Sequence, residues 1–367
     1  MVGSIVAAAV FAFLVSVFIC LCVRRKSAKK HSLVAGPRAY SYEELYTATN
    51  GFSDERKLGQ GSFGAVYRGV LADQSQTCVA VKKIQRMSHA AWQEYVAEIK
   101  IVSRLKHRNI VELLGWCDDR GHLLLVYELM DRSLDHHLYP PRRIGESDGV
   151  PVVLDWKKRY KITIDMGNGL QYLHTGLNEC VLHRDIKPSN VMVDETVSRA
   201  KLCDFGLVRQ ISHDQTPGRM TVTGTRSYLD PDCIKTCTVS AASDVYSFGL
   251  VLLEIACGRQ PTMLPHGHHD KNSLVEWVHE SVCQRKSVAE MADERLQGEF
   301  DKKQIERVMR VGFLCVLAEP DKRPDMATVM DYLKGKTDAP EPYLANPAAT
   351  TRSASNYESS PSSLLIG

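Results

Sequence analysis

The sequence predicts an α+β chain of two lobes, a β-rich front and a helical back with a cleft between them, preceded by one membrane-spanning helix. Three observations predict it. Residues 57–84 alternate and turn like a small antiparallel sheet. From about Leu154 onward apolar residues recur at helical spacing. Residues 1–23 contain no charged side chain.

Uncharged residues 1–23 are rich in Val, Ala, Phe, Leu and Ile. As a helix, about 20 such residues rise about 30 Å, enough to cross a bilayer core. A cleaved signal peptide would place positive charge before the apolar run. Here Arg24, Arg25, Lys26, Lys29 and Lys30 follow it, which assigns everything after Arg24 to the cytoplasmic side. Residues 24–51 then form a basic juxtamembrane segment that could hold anionic headgroups, and Cys20 and Cys22 at the inner edge could carry acyl chains.

Bulk composition narrows the rest. Of 367 residues, 44% are hydrophobic and 24% charged, as in a folded protein. The net charge of +3 is small, and the basic run accounts for all of it. The folded part therefore has no basic excess, which argues against a nucleic-acid partner. The 11 cysteines are odd in number and scattered, without paired C-x-x-C spacing. Cys117, Cys203, Cys257 and Cys315 lie in apolar stretches, so a reducing compartment is expected for the main domain.

Along the chain, Ser41 and Glu44 fit a capping box that opens a short helix. The main domain is expected over 52–334. Within it Trp92, Tyr95, Val96, Ile99, Val102 and Leu105 recur at helical spacing, and residues 122–129 form another strand. Residues 140–151 look like an exposed loop insert. His266, His268 and His269 sit among Pro and Gly, which suggests a surface loop rather than a metal site. Residues 335–367 turn to Pro, Ala, Thr and Ser and are expected to be a disordered tail.

The chemistry lies in four short runs. Gly59-Gln60-Gly61-Ser62-Phe63-Gly64-Ala65-Val66 is a G-x-G-x-x-G-x-V loop, in which missing Cβ atoms let backbone amides approach phosphates. Alone it could be a dinucleotide fingerprint, but a strand follows it rather than a helix. Val79-Ala80-Val81-Lys82 places a lysine at the spacing needed to reach phosphates. Glu98, beside the apolar stripe of the next helix, is its expected partner over Glu94, and Lys83 points to the other face. His183-Arg184-Asp185-Ile186-Lys187-Pro188-Ser189-Asn190 is the strongest signal. Phosphoryl transfer needs Asp185 to orient and deprotonate a hydroxyl, Lys187 to steady the transferring phosphate and Asn190 to hold a metal. Asp204-Phe205-Gly206 follows, with Asp204 offering carboxylate oxygens to Mg²⁺.

These motifs resemble the eukaryotic protein kinases across residues 52–333. YSYEELYTATNGFS, HRNIVELLGWC and SDVYSFGLVLLEIACGRQP resemble plant receptor-like kinases, most nearly the L-type lectin receptor kinase branch. The resemblance implies the two-lobed kinase fold, ATP as donor and protein Ser/Thr as acceptor. A receptor of this type would carry a ligand-binding ectodomain before the span, and this sequence is expected to be the span and kinase domain without it. Lys187, two residues after the base, is the Ser/Thr form of the loop. Carried over by position, Leu58 and Val66 lie over the nucleotide, and Val66, Ala80 and Met192 sandwich the adenine. Tyr127 stands behind the ring as gatekeeper, and Glu128 to Met130 form the hinge. Arg184 beside Asp185 implies control by an activation-loop phosphate, with Thr221 or Thr223 favoured as acceptor, while Thr225 braces Asp185.

Two positions depart from the family. Asp230-Pro231-Asp232 replaces the usual Ala-Pro-Glu, so the family's ion pair would here join Asp232 to Arg323 with one methylene fewer. Ser227 replaces a glycine near the substrate site. The resulting expectation is a plasma-membrane-anchored Ser/Thr kinase that autophosphorylates its activation loop, with protein substrates, the lipid bilayer and a co-receptor or second copy as partners. A pseudokinase scaffold is the alternative.

Overall fold

The computed structural model describes residues 36–61, 64–84, 89–119, 121–140, 153–211, 222–261 and 273–341. The span expected over 1–23, the basic run, Ser62, Phe63, Thr221, most of the loop insert, the histidine cluster and the tail beyond 341 lie outside them. Among the described residues no helix is long and apolar enough to cross a membrane.

The first lobe is a six-stranded sheet. Its strands are β1 (Arg38–Ala39), β2 (Lys57–Gly61), β3 (Gly64–Val70), β4 (Cys78–Ile84), β5 (Leu113–Asp119) and β6 (His122–Glu128), in the order β1-β5-β6-β4-β3-β2. β1 runs parallel to β5 and every other pairing is antiparallel. β6 reads HLLLVYE, apolar on both faces, because both faces are covered. Leu123, Leu125 and Tyr127 join the main core, while Leu124 and Val126 enter a second cluster. Burying each such leucine is worth about 1.5–3 kcal/mol. Helix α1 (Tyr42–Ala48) carries the expected Ser41–Glu44 capping box. Helix α2 (His89–Val102) turns Tyr95, Glu98, Ile99 and Val102 inward. Trp92, expected on the same stripe, is 37% exposed.

The second lobe is helical, apart from short strands that line the cleft. β7 (Arg132–Ser133), β9 (Val191–Val193) and β10 (Ala200–Leu202) make a three-stranded sheet, and β8 (Cys180–Leu182) pairs with β11 (Arg209–Ile211). The helices are α3 (Leu134–Leu138), α4 (Trp156–Thr175), α5 (Pro231–Thr236), α6 (Ala241–Cys257), α7 (Leu274–Cys283), α8 (Val288–Met291), α9 (Lys302–Cys315) and α10 (Met326–Leu333). Asp155 opens α4 by accepting from the Lys158 amide. α6 is buried from Asp244 to Cys257, as its almost wholly apolar sequence dictates.

The ion pair expected between Asp232 and Arg323 is not formed. Arg323 instead grips Asp230, with Nη1 to Oδ2 at 2.7 Å and Nη2 to Oδ1 at 2.9 Å. Asp230 caps α5 from inside, 2% exposed, whereas Asp232 sits half-buried in the first turn and gives its amide to Asp230 Oδ1 at 3.0 Å. A carboxylate two residues earlier already lies at the guanidinium, so the shortened side chain at 232 is not needed there.

Candidate active site

Three elements meet at Lys82. From β4 its ammonium lies 2.8 Å from Asp204 Oδ1 and 3.3 Å from both Glu98 oxygens. Burial alone would lower the Lys82 pKa, but Asp204 and Glu98 overcome it and hold the group above the ordinary lysine value. Burial raises Glu98, against the opposing charge of Lys82. Asp204 is also buried, yet Lys82 holds it below the usual carboxylate range. Tyr127 gives its hydroxyl to Glu98 Oε1, a contact its expected position behind the ring did not announce. Lys83, on the opposite face, lies 4.4 Å over the Phe52 ring.

The glycine loop spans β2 and β3. A Cβ at Gly59 or Gly61 would meet no atom within 4 Å, so no internal contact requires glycine there. The open space above those backbones suits a phosphate chain. Gly64 differs: at φ +155° its Cβ would fall 2.1 Å from the Lys83 carbonyl, so the hairpin itself demands glycine. Leu58 is half-exposed on β2, Val66 sits on β3, and Ala80 and Met192 pack against the main core. Glu128 accepts from the Glu112 amide at 2.7 Å and from Lys201 at 2.5 Å, which ties the segment ending at Met130 to the second lobe.

Three residues hold the Asp185 carboxylate through four donor groups. Thr225 donates both its amide and its hydroxyl to Oδ1, each at 3.0 Å. Asn190 Nδ2 donates to Oδ2 at 2.9 Å and to the Asp185 carbonyl at 2.8 Å. Lys187 lies 2.7 Å from Oδ2 and 2.6 Å from the Thr225 hydroxyl. With its amide nitrogen committed, Asn190 keeps its carbonyl oxygen for a ligand. That oxygen and the Asp204 carboxylate are hard donors, the set a Mg²⁺ ion takes.

The loop's backbone has its own support. Arg184 and Asp204 both take positive φ, 72° and 61°. Asp244, buried in the first turn of α6, accepts the Arg184 amide at 2.8 Å, the His183 amide at 2.8 Å and the His174 imidazole at 3.0 Å. Burial opposes ionisation of Asp244, but these donors hold its pKa below the usual range. Sequence reasoning passed over Asp244; a carboxylate opening the largely apolar run DVYSFGLVLLEIAC was the available signal. The Arg184 guanidinium donates to the Leu207 carbonyl and the Thr223 hydroxyl, each at 3.1 Å. Burial and neighbouring Arg209 lower its pKa.

The sequence matches the protein kinase domain family over residues 52–332. It is 40% identical over 315 residues to "Probable L-type lectin-domain containing receptor kinase S.7" of Arabidopsis thaliana, covering 86% of this chain and 45% of that protein. It is 41% identical over 334 residues to L-type lectin-domain containing receptor kinase IX.1 of Arabidopsis thaliana, covering 90% and 49%. It is 39% identical over 342 residues to L-type lectin-domain containing receptor kinase SIT2 of Oryza sativa subsp. japonica, covering 92% and 49%. The chain spans about half the length of these curated relatives. By its fold, its motifs and this match, the chain belongs to the protein kinase family.

Proposed function

We propose that the chain transfers the γ-phosphate of ATP to Ser or Thr hydroxyls of proteins, in plant receptor-type signalling, anchored to the plasma membrane by residues 1–23. The observation that carries this reading is Asp185, a buried carboxylate whose Oδ1 is fixed by Thr225 while Oδ2 faces Asn190 and Lys187.

Gly59, Gln60, Gly61, Ser62, Phe63 and Gly64 cover the phosphates, Lys82 steadies them, and the hinge from Glu128 to Met130 holds the adenine between Val66, Ala80 and Met192. Asn190 and Asp204 hold Mg²⁺, which when bound neutralises charge on the phosphates. Asp185 orients the acceptor hydroxyl and takes its proton on Oδ2. Lys187 turns from Oδ2 to the moving phosphoryl group. Fixing the base this way supplies positioning, which is most of what a loose phosphoryl transfer asks of a protein. Nothing favours the scaffold alternative, since Lys82, Glu98, Asp185, Lys187, Asn190 and Asp204 are all present in the sequence. Autophosphorylation at Thr223 or Thr221, and a co-receptor or second copy, belong to the same reading.

The test is phosphate incorporation from ATP and Mg²⁺ by the wild-type chain and by Asp185→Asn. The variant is expected to lose at least about a hundredfold in rate. Equal incorporation by both would overturn the reading.

A further inference from the structure

The kinase-family match begins at Phe52, yet the first lobe begins earlier. β1 adds a parallel strand to β5, and the Tyr40 amide continues the ladder to the Trp116 carbonyl at 2.9 Å. Leu45 is fully buried, and Tyr40 and Phe52 are at most 9% exposed. They cover Val79, Val81, Leu124 and Val126 on the sheet face opposite α2. Thr49, fully buried, donates its hydroxyl to the Leu45 carbonyl at 2.7 Å and accepts the Phe52 amide at 3.2 Å, which locks the end of α1 to the chain entering β2. β5 leaves room for this segment: a Cβ at Gly115 would lie 2.3 Å from both the Arg38 carbonyl and the Tyr40 ring.

β4 connects that face to the site. Val79 and Val81 point into the outer cluster, and Lys82, alternating with them, points to Glu98 and Asp204. The strand is therefore clamped between two layers, and one of them is supplied by residues 38–52. We propose that this segment positions Lys82 for phosphotransfer, so that residues upstream of the family-matched domain act on the site through β4. The inference rests on the kinase reading. Because the segment leads back toward the expected membrane span, a pull or a modification that lifts it would lower activity without touching the cleft.

The experiment uses the full chain with ATP, Mg²⁺ and casein as acceptor, kcat/KM for ATP being normalised to the folded fraction. Leu45→Ala opens the outer cluster, and Gly115→Ala pushes β1 off the sheet without emptying any core. Each is expected to lower kcat/KM for ATP about tenfold and to speed amide exchange across residues 78–84. Leu45→Met should stay within about twofold of wild type. Leu274→Ala, in the buried core of the second lobe, should unfold at lower temperature yet keep wild-type kcat/KM. The inference is overturned when Gly115→Ala retains wild-type kcat/KM, or when Leu274→Ala loses as much as Leu45→Ala. Gly115→Ala decides where Leu45→Ala does not fold. A wild-type chain no more active than Asp185→Asn would overturn the kinase reading and this inference with it.

Discussion

Arg323 closes a two-bonded fork on Asp230, with both side chains at most 2% exposed. A buried guanidinium stripped of its carboxylate is costly. Asp230→Ala is therefore expected to destabilise the fold by roughly 3–5 kcal/mol. Asp232→Ala loses only a first-turn acid facing a helix dipole, about 0.3–1 kcal/mol. Thermal unfolding of the two variants checks the order. A larger effect at 232 would show that the pairing inferred from family resemblance, and not the one in the structure, holds the lobe.

Thr225 reaches Asp185 Oδ1 with two donors and receives Lys187 on the same hydroxyl. Thr225→Ala removes the hydroxyl and leaves Lys187 paired with the base alone. Turnover should fall about 10- to 100-fold with little change in KM for ATP. Thr225→Ser restores the oxygen and should recover most of the rate. Steady-state kinetics on both variants test the assignment.

Thr223 stands 3.1 Å from Arg184, with Arg209 nearby in charge. A phosphate on that hydroxyl would answer the Arg184 cation that burial now penalises, with Arg209 close by. Mass spectrometry after incubation with ATP should find Thr223 modified, and Thr223→Ala should resemble the phosphatase-treated protein. In Arg184→Ala, phosphatase treatment should no longer change the rate.

Glu254 lies in α6 at 1% exposure and accepts the hydroxyls of Tyr139 and Tyr228, each at 2.9 Å. Burial outweighs these donors and pushes its pKa from 4.5 up to about 7. The folded chain thus keeps a proton there that the unfolded chain releases, and stability falls as pH rises from about 4.5 to 7. Glu254→Gln should remove this slope, so the stability difference between variant and wild type should grow in the variant's favour across that window and level off above it. Chemical denaturation at pH 5, 6, 7 and 8 reads it directly.

Much of the site was legible because its signals are local in the chain. The H-R-D-x-K-x-x-N run places Asp185, Lys187 and Asn190 within one turn of chain, and strand alternation separates Lys82 from Lys83. Glu98 was reachable because the apolar stripe of α2 fixes which face meets the sheet. Relations between distant segments were not legible. Asp244 supports residues 183 and 184 from 60 positions away, as the separation of 60 from Arg184 shows. Nothing at either end names the other. Asp230 displaced Asp232 because side-chain length and the direction of a helix cap decide reach, and a motif alignment records neither. The outer layer built by Tyr40, Leu45 and Phe52 was seen only as a short capped helix, since burial depends on what the segment lies against.

Asp244 has a consequence for the rhythm of the reaction. It hangs two consecutive amides of the catalytic loop from the most deeply buried helix of the second lobe, so the acceptor half of the site is carried as a rigid fixture. The donor half is different, for Lys82 and Glu98 come from the first lobe and meet Asp204 only across the cleft. On the proposed reading, nucleotide exchange would open and reclose the lobes while the hydroxyl-binding station stays assembled. Each cycle would, on that reading, rebuild the half around Lys82 against a half tied by Asp244 to α6.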